Sequence, residues 1–146
     1  MNRRWVTGMA GVLLGLQSAL SAADDMRPLV SWQALSQVSG VMQKGRYVPT
    51  FPKDVTALDQ KQVKLEGFMM PLDTGARQKR FLLTAVPSSC GFCLPAGPEQ
   101  IVEVQARAPV KYVLDPVVVS GRFALVHDDA GGLLYRLTDA IAIERR

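Results

Sequence analysis

From residue 60 to the carboxyl end, hydrophobic and polar positions alternate with period two. "QVKLEGFMMPL" sets Val63, Leu65 and Gly67 against Lys64, Glu66 and Phe68, and "QIVEVQA" puts Val102, Val104 and Ala106 on one side. "KRFLLTAV" is a run of strand formers, and "PVVVSGRFALV" and "LLYRLTDAIAIE" are longer runs of the same kind. Successive side chains of a strand point to opposite faces, so this alternation marks half-buried strands. Five strands are predicted, joined by turn-rich connections that include Asp73-Thr74-Gly75 and the run from Asp128 to Gly132. No amphipathic stretch after residue 60 is long enough for a helix between parallel strands, which argues against thioredoxin-like and Rossmann-like topologies.

"VKLEGF" and "VVVSGR" share one pattern, a β-branched residue, an aliphatic residue two further on, then glycine after one more position. Both place a glycine, Gly67 and Gly121, inside a strand. Glycine weakens a strand unless the strand must bend there. Small closed barrels need such bends, because a long strand turns a corner and serves both halves of the sheet. The fold class predicted is all-β, a small five-stranded antiparallel OB-like barrel. Ahead of it, "SWQALSQV" places Trp32, Leu35 and Val38 on one face behind a capping Ser31, which predicts a short helix. In "GRYVPTFPKDVTALDQ", Pro49 and Pro52 forbid a helix and predict an extended strap, ending in one helical turn around Asp54 to Leu58.

The amino terminus changes the picture of where the protein works. Arg3 and Arg4 precede an apolar run from Val12 to Leu20, followed by small residues and two aspartates. That is the pattern of a cleaved signal peptide, with the cut after Ala23 or after Ser21. The apolar run falls short of the ~20 residues that span a bilayer. The expected organisation is therefore a signal peptide over 1–23, a helix and strap over 24–60, and the barrel over 61–146, with a periplasmic address and no membrane span after processing. Processing removes two arginines and no acid, so the formal charge falls from +4 to +2. A near-neutral exported chain is a poor nucleic-acid binder, and none is expected as partner. The one short basic cluster, "RQKR" from Arg77 to Arg80, reads as a solvated hairpin turn.

Candidate chemistry centres on "SSCGFCLPAGPEQ", which holds both cysteines, Cys90 and Cys93. In an exported protein the pair is expected to oxidise. A bridge closing so small a loop stabilises by only ~2 kcal/mol, enough to set a loop without being needed for folding. A reactive pair wants its first thiolate at a helix amino terminus, and Pro95 and Pro98 oppose a regular helix running on from Cys93. Haem attachment is excluded because Leu94 follows where a histidine would be required. Two thiolates are half of a zinc site or a linear cuprous site, and the sole histidine, His127, is the candidate further ligand. Met69 and Met70 read as core filling. One histidine and no motif around a serine leave hydrolase chemistry without support.

"GFMMPL", "FLLTAVPSSCGFCLPAGPEQIVEV", "VVVSGRF" and "YRLTDAIAI" together resemble a family of secreted Gram-negative proteins catalogued as a domain of unknown function. In that family's loop pattern Cys90 takes the cysteine position and Gln100 the closing glutamine. Phe92 stands where members carry histidine, Cys93 is additional, Glu99 replaces asparagine, and Pro95 and Pro98 remain of a proline run. The resemblance implies an OB-like barrel in the periplasm without established catalysis, often encoded beside FtsX-type ABC transporters and sometimes in metal-linked gene groups. The expected function is a non-enzymatic periplasmic binding or accessory protein. Its loop residues Phe92, Pro95, Pro98, Glu99 and Gln100 would dock an envelope protein such as a transporter component, or Cys90, Cys93 and His127 would hold zinc or copper. The alternative is a thiol-disulfide oxidoreductase using Cys90 and Cys93.

Overall fold

The computed structural model describes residues 26–87 and 97–143. The expected signal segment and residues 88–96, which include both cysteines, Phe92 and Pro95, lie outside the described residues. Five strands close into a barrel: β3 (Gln62–Pro71), β4 (Arg77–Thr84), β5 (Ile101–Lys111), β6 (Val117–Leu125) and β7 (Tyr135–Ile143), neighbouring one another in the order β3-β4-β5-β7-β6. Before them come α1 (Trp32–Leu35), a hairpin of β1 (Ser39–Gln43) and β2 (Arg46–Thr50), and α2 (Lys53–Thr56). Among the described residues no helix is long and apolar enough to cross a membrane.

The alternation read from the sequence is the alternation observed. Val63, Leu65 and Met69 of β3, Phe81 and Leu83 of β4, Val102, Val104 and Ala106 of β5, and Val119 and Phe123 of β6 all point inward and are buried. In β7 the phase slips. Tyr135 and Leu137 are buried, but so is Ala140 rather than Asp139. Asp139 has a positive φ of 52° and sits where the β6–β7 register shifts, an extra residue that turns the following side chain back to the core.

Both mid-strand glycines mark corners. β3 pairs with β6 as far as Gly67↔Val117 and with β4 from Phe68↔Thr84 onward. A Cβ at Gly67 would lie 2.6 Å from the Thr84 carbonyl oxygen, and one at Gly121 would lie 2.8 Å from that of Thr138. The backbone has no room there for any side chain, which is the requirement that glycine alone meets.

The sequence predicts a wholly antiparallel barrel; the structure corrects one pair. β5 and β7 run parallel, through Glu103↔Arg136, Val104↔Leu137 and Ala106↔Ala140. The reason is parity: a closed ring with an odd number of strands cannot alternate direction all the way round.

The segment before the barrel closes the core. Ser31 caps α1 through its side chain on the Ala34 N–H, as its position suggests, and Trp32 donates its indole N–H to the Glu66 carbonyl at 2.7 Å. Leu35 and Val55 are buried. Between the two helices the expected strap is a hairpin whose turn, Lys44-Gly45, has φ of 50° and 80°. Two successive left-handed residues suit a two-residue hairpin turn, and Lys-Gly signals it more weakly than Asn-Gly. Pro49 survives in β2 because the hairpin has only two strands. The "RQKR" stretch is also corrected. It opens β4, and Gln78 is buried, its Nε2 donating to the carbonyls of Asp73 and Gly75 while its Oε1 accepts from the Asp73 N–H. That side chain holds the β3–β4 turn from inside.

Candidate functional site

The cysteine-bearing loop springs from the ends of β4 and β5, and its stem is closed. Thr84 pairs with Ile101, and the Ala85 N–H donates to the Gln100 carbonyl at 3.2 Å. The Thr84 hydroxyl lies 2.8 Å from the Val86 carbonyl and 3.3 Å from that of Phe68. Pro98, Glu99 and Gln100 form a single 3-10 turn, with proline at a position where its missing N–H costs nothing. Of the residues singled out in the sequence, these three and His127 fall within the described structure; Cys90, Phe92, Cys93 and Pro95 do not.

An aromatic column centres on the buried Tyr135. The Tyr135 hydroxyl donates to the Leu35 carbonyl at 2.7 Å. Burial, then the nearby Glu99 carboxylate and the Tyr47 phenol, push the Tyr135 phenol well above its ordinary value. Its ring packs 5.5 Å from Phe123 and 5.8 Å from Phe51, and Phe51 meets the edge of His127 at 5.3 Å with the rings nearly perpendicular. His127 is exposed on the β6–β7 connection. The acids beside it are engaged elsewhere: Asp128 pairs with Arg46 at 3.1 Å, and the Asp129 carboxylate accepts the N–H groups of Gly131 and Leu133 at 2.8 and 3.1 Å. Among the described residues no three His, Cys, Asp or Glu side chains cluster in a way that would hold a metal ion.

A hollow lies on the outside of β4 and β5 beside the foot of the cysteine loop. It encloses about 300 Å³ between Leu82, Pro98 and Ile101 on one side and Gly131 and Leu133 of the β6–β7 connection on the other, with Leu72 of the β3–β4 turn at its margin. The foot of the cysteine loop is thus part of its wall. Arg80 and Glu103 line the floor.

Glu103 is the feature that sequence reading missed. Its side chain is 7% exposed, whereas those of Arg80 and Arg136 are 62% and 32% exposed. Arg80 donates to Oε1 at 3.0 and 3.3 Å, Arg136 donates to Oε2 at 2.8 Å, and Gln105 adds a long contact of 3.4 Å. Burial alone would push its carboxyl up, but the hydrogen bonds from Arg136, Arg80 and Gln105, with the Arg136 charge, hold it below the ordinary carboxylate range. An anion so fully bonded is a poor proton acceptor at neutral pH. The only signal for it in the sequence is its place on the polar side of "QIVEVQA"; its partners come from two other strands.

The fold is a small OB-like barrel, and this surface lies on its second and third strands, flanked by the connections after the first and fourth. The chain belongs to the family described as protein of unknown function DUF3299, whose model matches residues 23–141. It is also similar in structure to a DUF3299 family protein from Pseudomonas aeruginosa PAO1. That likeness has a TM-score of 0.58 at 20% sequence identity and covers 82% of this chain and 98% of that one, and at such an identity it speaks to the fold. No curated protein matches the chain.

Proposed function

We propose that this protein is a non-enzymatic binding or accessory module of the periplasm, which docks an envelope protein such as an ABC transporter component against the outer β4–β5 face. The observation that carries the reading is the shared wall: Pro98 and Ile101 at the foot of the cysteine loop face Gly131 and Leu133 across one hollow. In this reading the two thiols of the loop either bridge to stiffen it or hold a zinc or cuprous ion with donors supplied by the partner. The character of the face favours protein over nucleic acid. Among the described residues leucine, isoleucine and proline line it beside Arg80, Glu103 and Asp129, with no aromatic side chain, whereas single-strand binders rely on aromatic stacking and a basic groove. Glu103 neutralises the arginines beside it.

The test is photocrosslinking in living cells from position Leu82 or Leu133, with the exposed position Met42, on β1, as control. An adduct with one envelope protein from the first two positions and not from the third supports the reading. Equal labelling at all three, or a protein that fractionates with the cytoplasm, defeats it. Bound zinc and copper, measured by mass for wild type and Cys93→Ser, then separate a metal-bearing loop from a bridged one. A strongly oxidising, labile thiol pair would turn the reading towards thiol-disulfide exchange.

A further inference from the structure

At the far ends of β4 and β5, roughly 23 Å along the strands from the cysteine loop, the barrel wall opens. The parallel ladder stops at Ala106↔Ala140. Beyond it β5 leans to β4, through Val110↔Gln78 and Lys111↔Arg77, while β7 stays with β6, through Ile141↔Ser120, Ala142↔Val119 and Ile143↔Val118. The two diverging edges leave a groove of about 650 Å³ whose walls include Val110, Val113, Val117, Ile141 and Ile143. Among the described residues no strand pairing crosses it. Unpaired strand edges offer main-chain donors and acceptors in a row, and proteins ordinarily cover them. This chain does so elsewhere with its own segment. Pro28 to Val30 lies along the free edge of β3, the Val30 N–H donating to Lys64 and the Lys64 N–H to Pro28.

The charge at the groove's rim points to the occupant. Arg77 and Lys111 are cross-strand partners, like charges directly opposite, an arrangement that destabilises a sheet. Lys79 and Arg107 stand on the same two strands. None of the four meets a carboxylate among the described residues; Arg77 spends one N–H on the Pro109 carbonyl. A second copy of the chain would bring the same cations face to face. The side chains of Glu144, Arg145 and Arg146 carry two positive charges and one negative.

We infer that this groove takes an extended acidic segment of a partner protein as an added strand between β5 and β7, a surface separate from the β4–β5 face. Main-chain bonds supply the affinity, save at Pro109, which has no N–H and whose carbonyl already accepts from Arg77; alternate apolar side chains fill the groove, and acidic ones meet Arg77, Lys79, Arg107 and Lys111.

A short synthetic peptide of alternating valine and glutamate, with an alternating valine and lysine peptide as comparator, is titrated into the purified protein. Binding is followed by fluorescence anisotropy and amide hydrogen exchange. The glutamate peptide is expected to bind saturably and to slow exchange at 107, 108, 110, 111 and 141–143, and the lysine peptide is not. Because Arg107 and Lys111 are exposed, the double reversal R107E/K111E should fold normally and weaken binding about tenfold or more, with R107Q/K111Q between it and wild type. Absence of binding, binding indifferent to these changes, or protection only at other strands overturns the inference. So does a roughly tenfold gain on deleting residues 144–146, which would make the chain's own terminus the occupant. A dimer in sedimentation that R107E/K111E abolishes overturns it in favour of self-association.

Discussion

Replacing Glu103 by glutamine keeps the side chain's size and removes its charge, so it isolates what the two arginines contribute. A hydrogen bond to a charged group is worth about 1.5–3 kcal/mol net when sheltered, and Arg136, at 32% exposure, approaches that case. Arg80 is 62% exposed, and solvent screening cuts its share to roughly 0–1 kcal/mol. The sum is a loss of about 1.5–4 kcal/mol at neutral pH. For a domain of this length each kcal/mol moves the melting temperature by about 4 °C, so the variant should melt ~6–16 °C lower. The pH dependence gives the sharper check. A carboxyl whose folded-state value lies below its unfolded value stabilises the fold above the unfolded value, here near 4.5, and that contribution disappears as the pH falls through the folded value. Urea titrations of wild type and Glu103→Gln should therefore differ by a constant amount from neutral pH down to the unfolded value, then converge in acid. A difference that persists undiminished in strong acid, or is missing at neutral pH, would refute the electrostatic account of Glu103.

Alanine at Gly121 or Gly67 brings a Cβ within 2.8 or 2.6 Å of a carbonyl oxygen on the neighbouring strand. Each should cost roughly 1–3 kcal/mol in chemical denaturation, and a neutral result would remove the close-approach explanation of these glycines. Tyr135→Phe forfeits the bond to the Leu35 carbonyl and leaves that acceptor buried, for about 1–2 kcal/mol. Since the folded phenol ionises above its ordinary value of 10.0, its contribution is intact below that pH and fades as the pH rises further. Wild type should accordingly lose stability in strong alkali more steeply than Tyr135→Phe, as read by melting temperature. Gln78→Leu strips three hydrogen bonds from the β3–β4 turn and should destabilise by about 1–3 kcal/mol in the same assay. Arg46→Ala, which breaks an ion pair exposed on both sides, should change stability by less than about 0.5 kcal/mol.

How much of this was legible beforehand differs element by element. The five barrel strands lie where the alternation put them, and Gly67 and Gly121 sit at the corners their flanking patterns suggested. The β1–β2 hairpin escaped because its turn is Lys-Gly and its second strand contains a proline, both weak advertisements of pairing. The run "RQKR" misled because composition stood in for position: Gln78 is buried by the turn it clamps, a contact its own charge neighbours do not announce. Of the loop residues singled out beside the cysteines, Pro98 lines the hollow while Glu99 and Gln100 do not, and Leu82, Ile101, Gly131 and Leu133 carry no chemical flag at all.

The sequence by itself determined which side of each ribbon is buried and where the ribbons must bend, because alternation and a missing Cβ act within a few residues of where they are written. Only the tertiary structure decided that β5 and β7 run parallel, that Glu103 is held by Arg80 and Arg136 from strands on either side, and that the wall parts beyond Ala106. Those outcomes arise from closing a ring with an odd number of strands. Closure of that kind joins residues distant in the chain, and no local pattern encodes it.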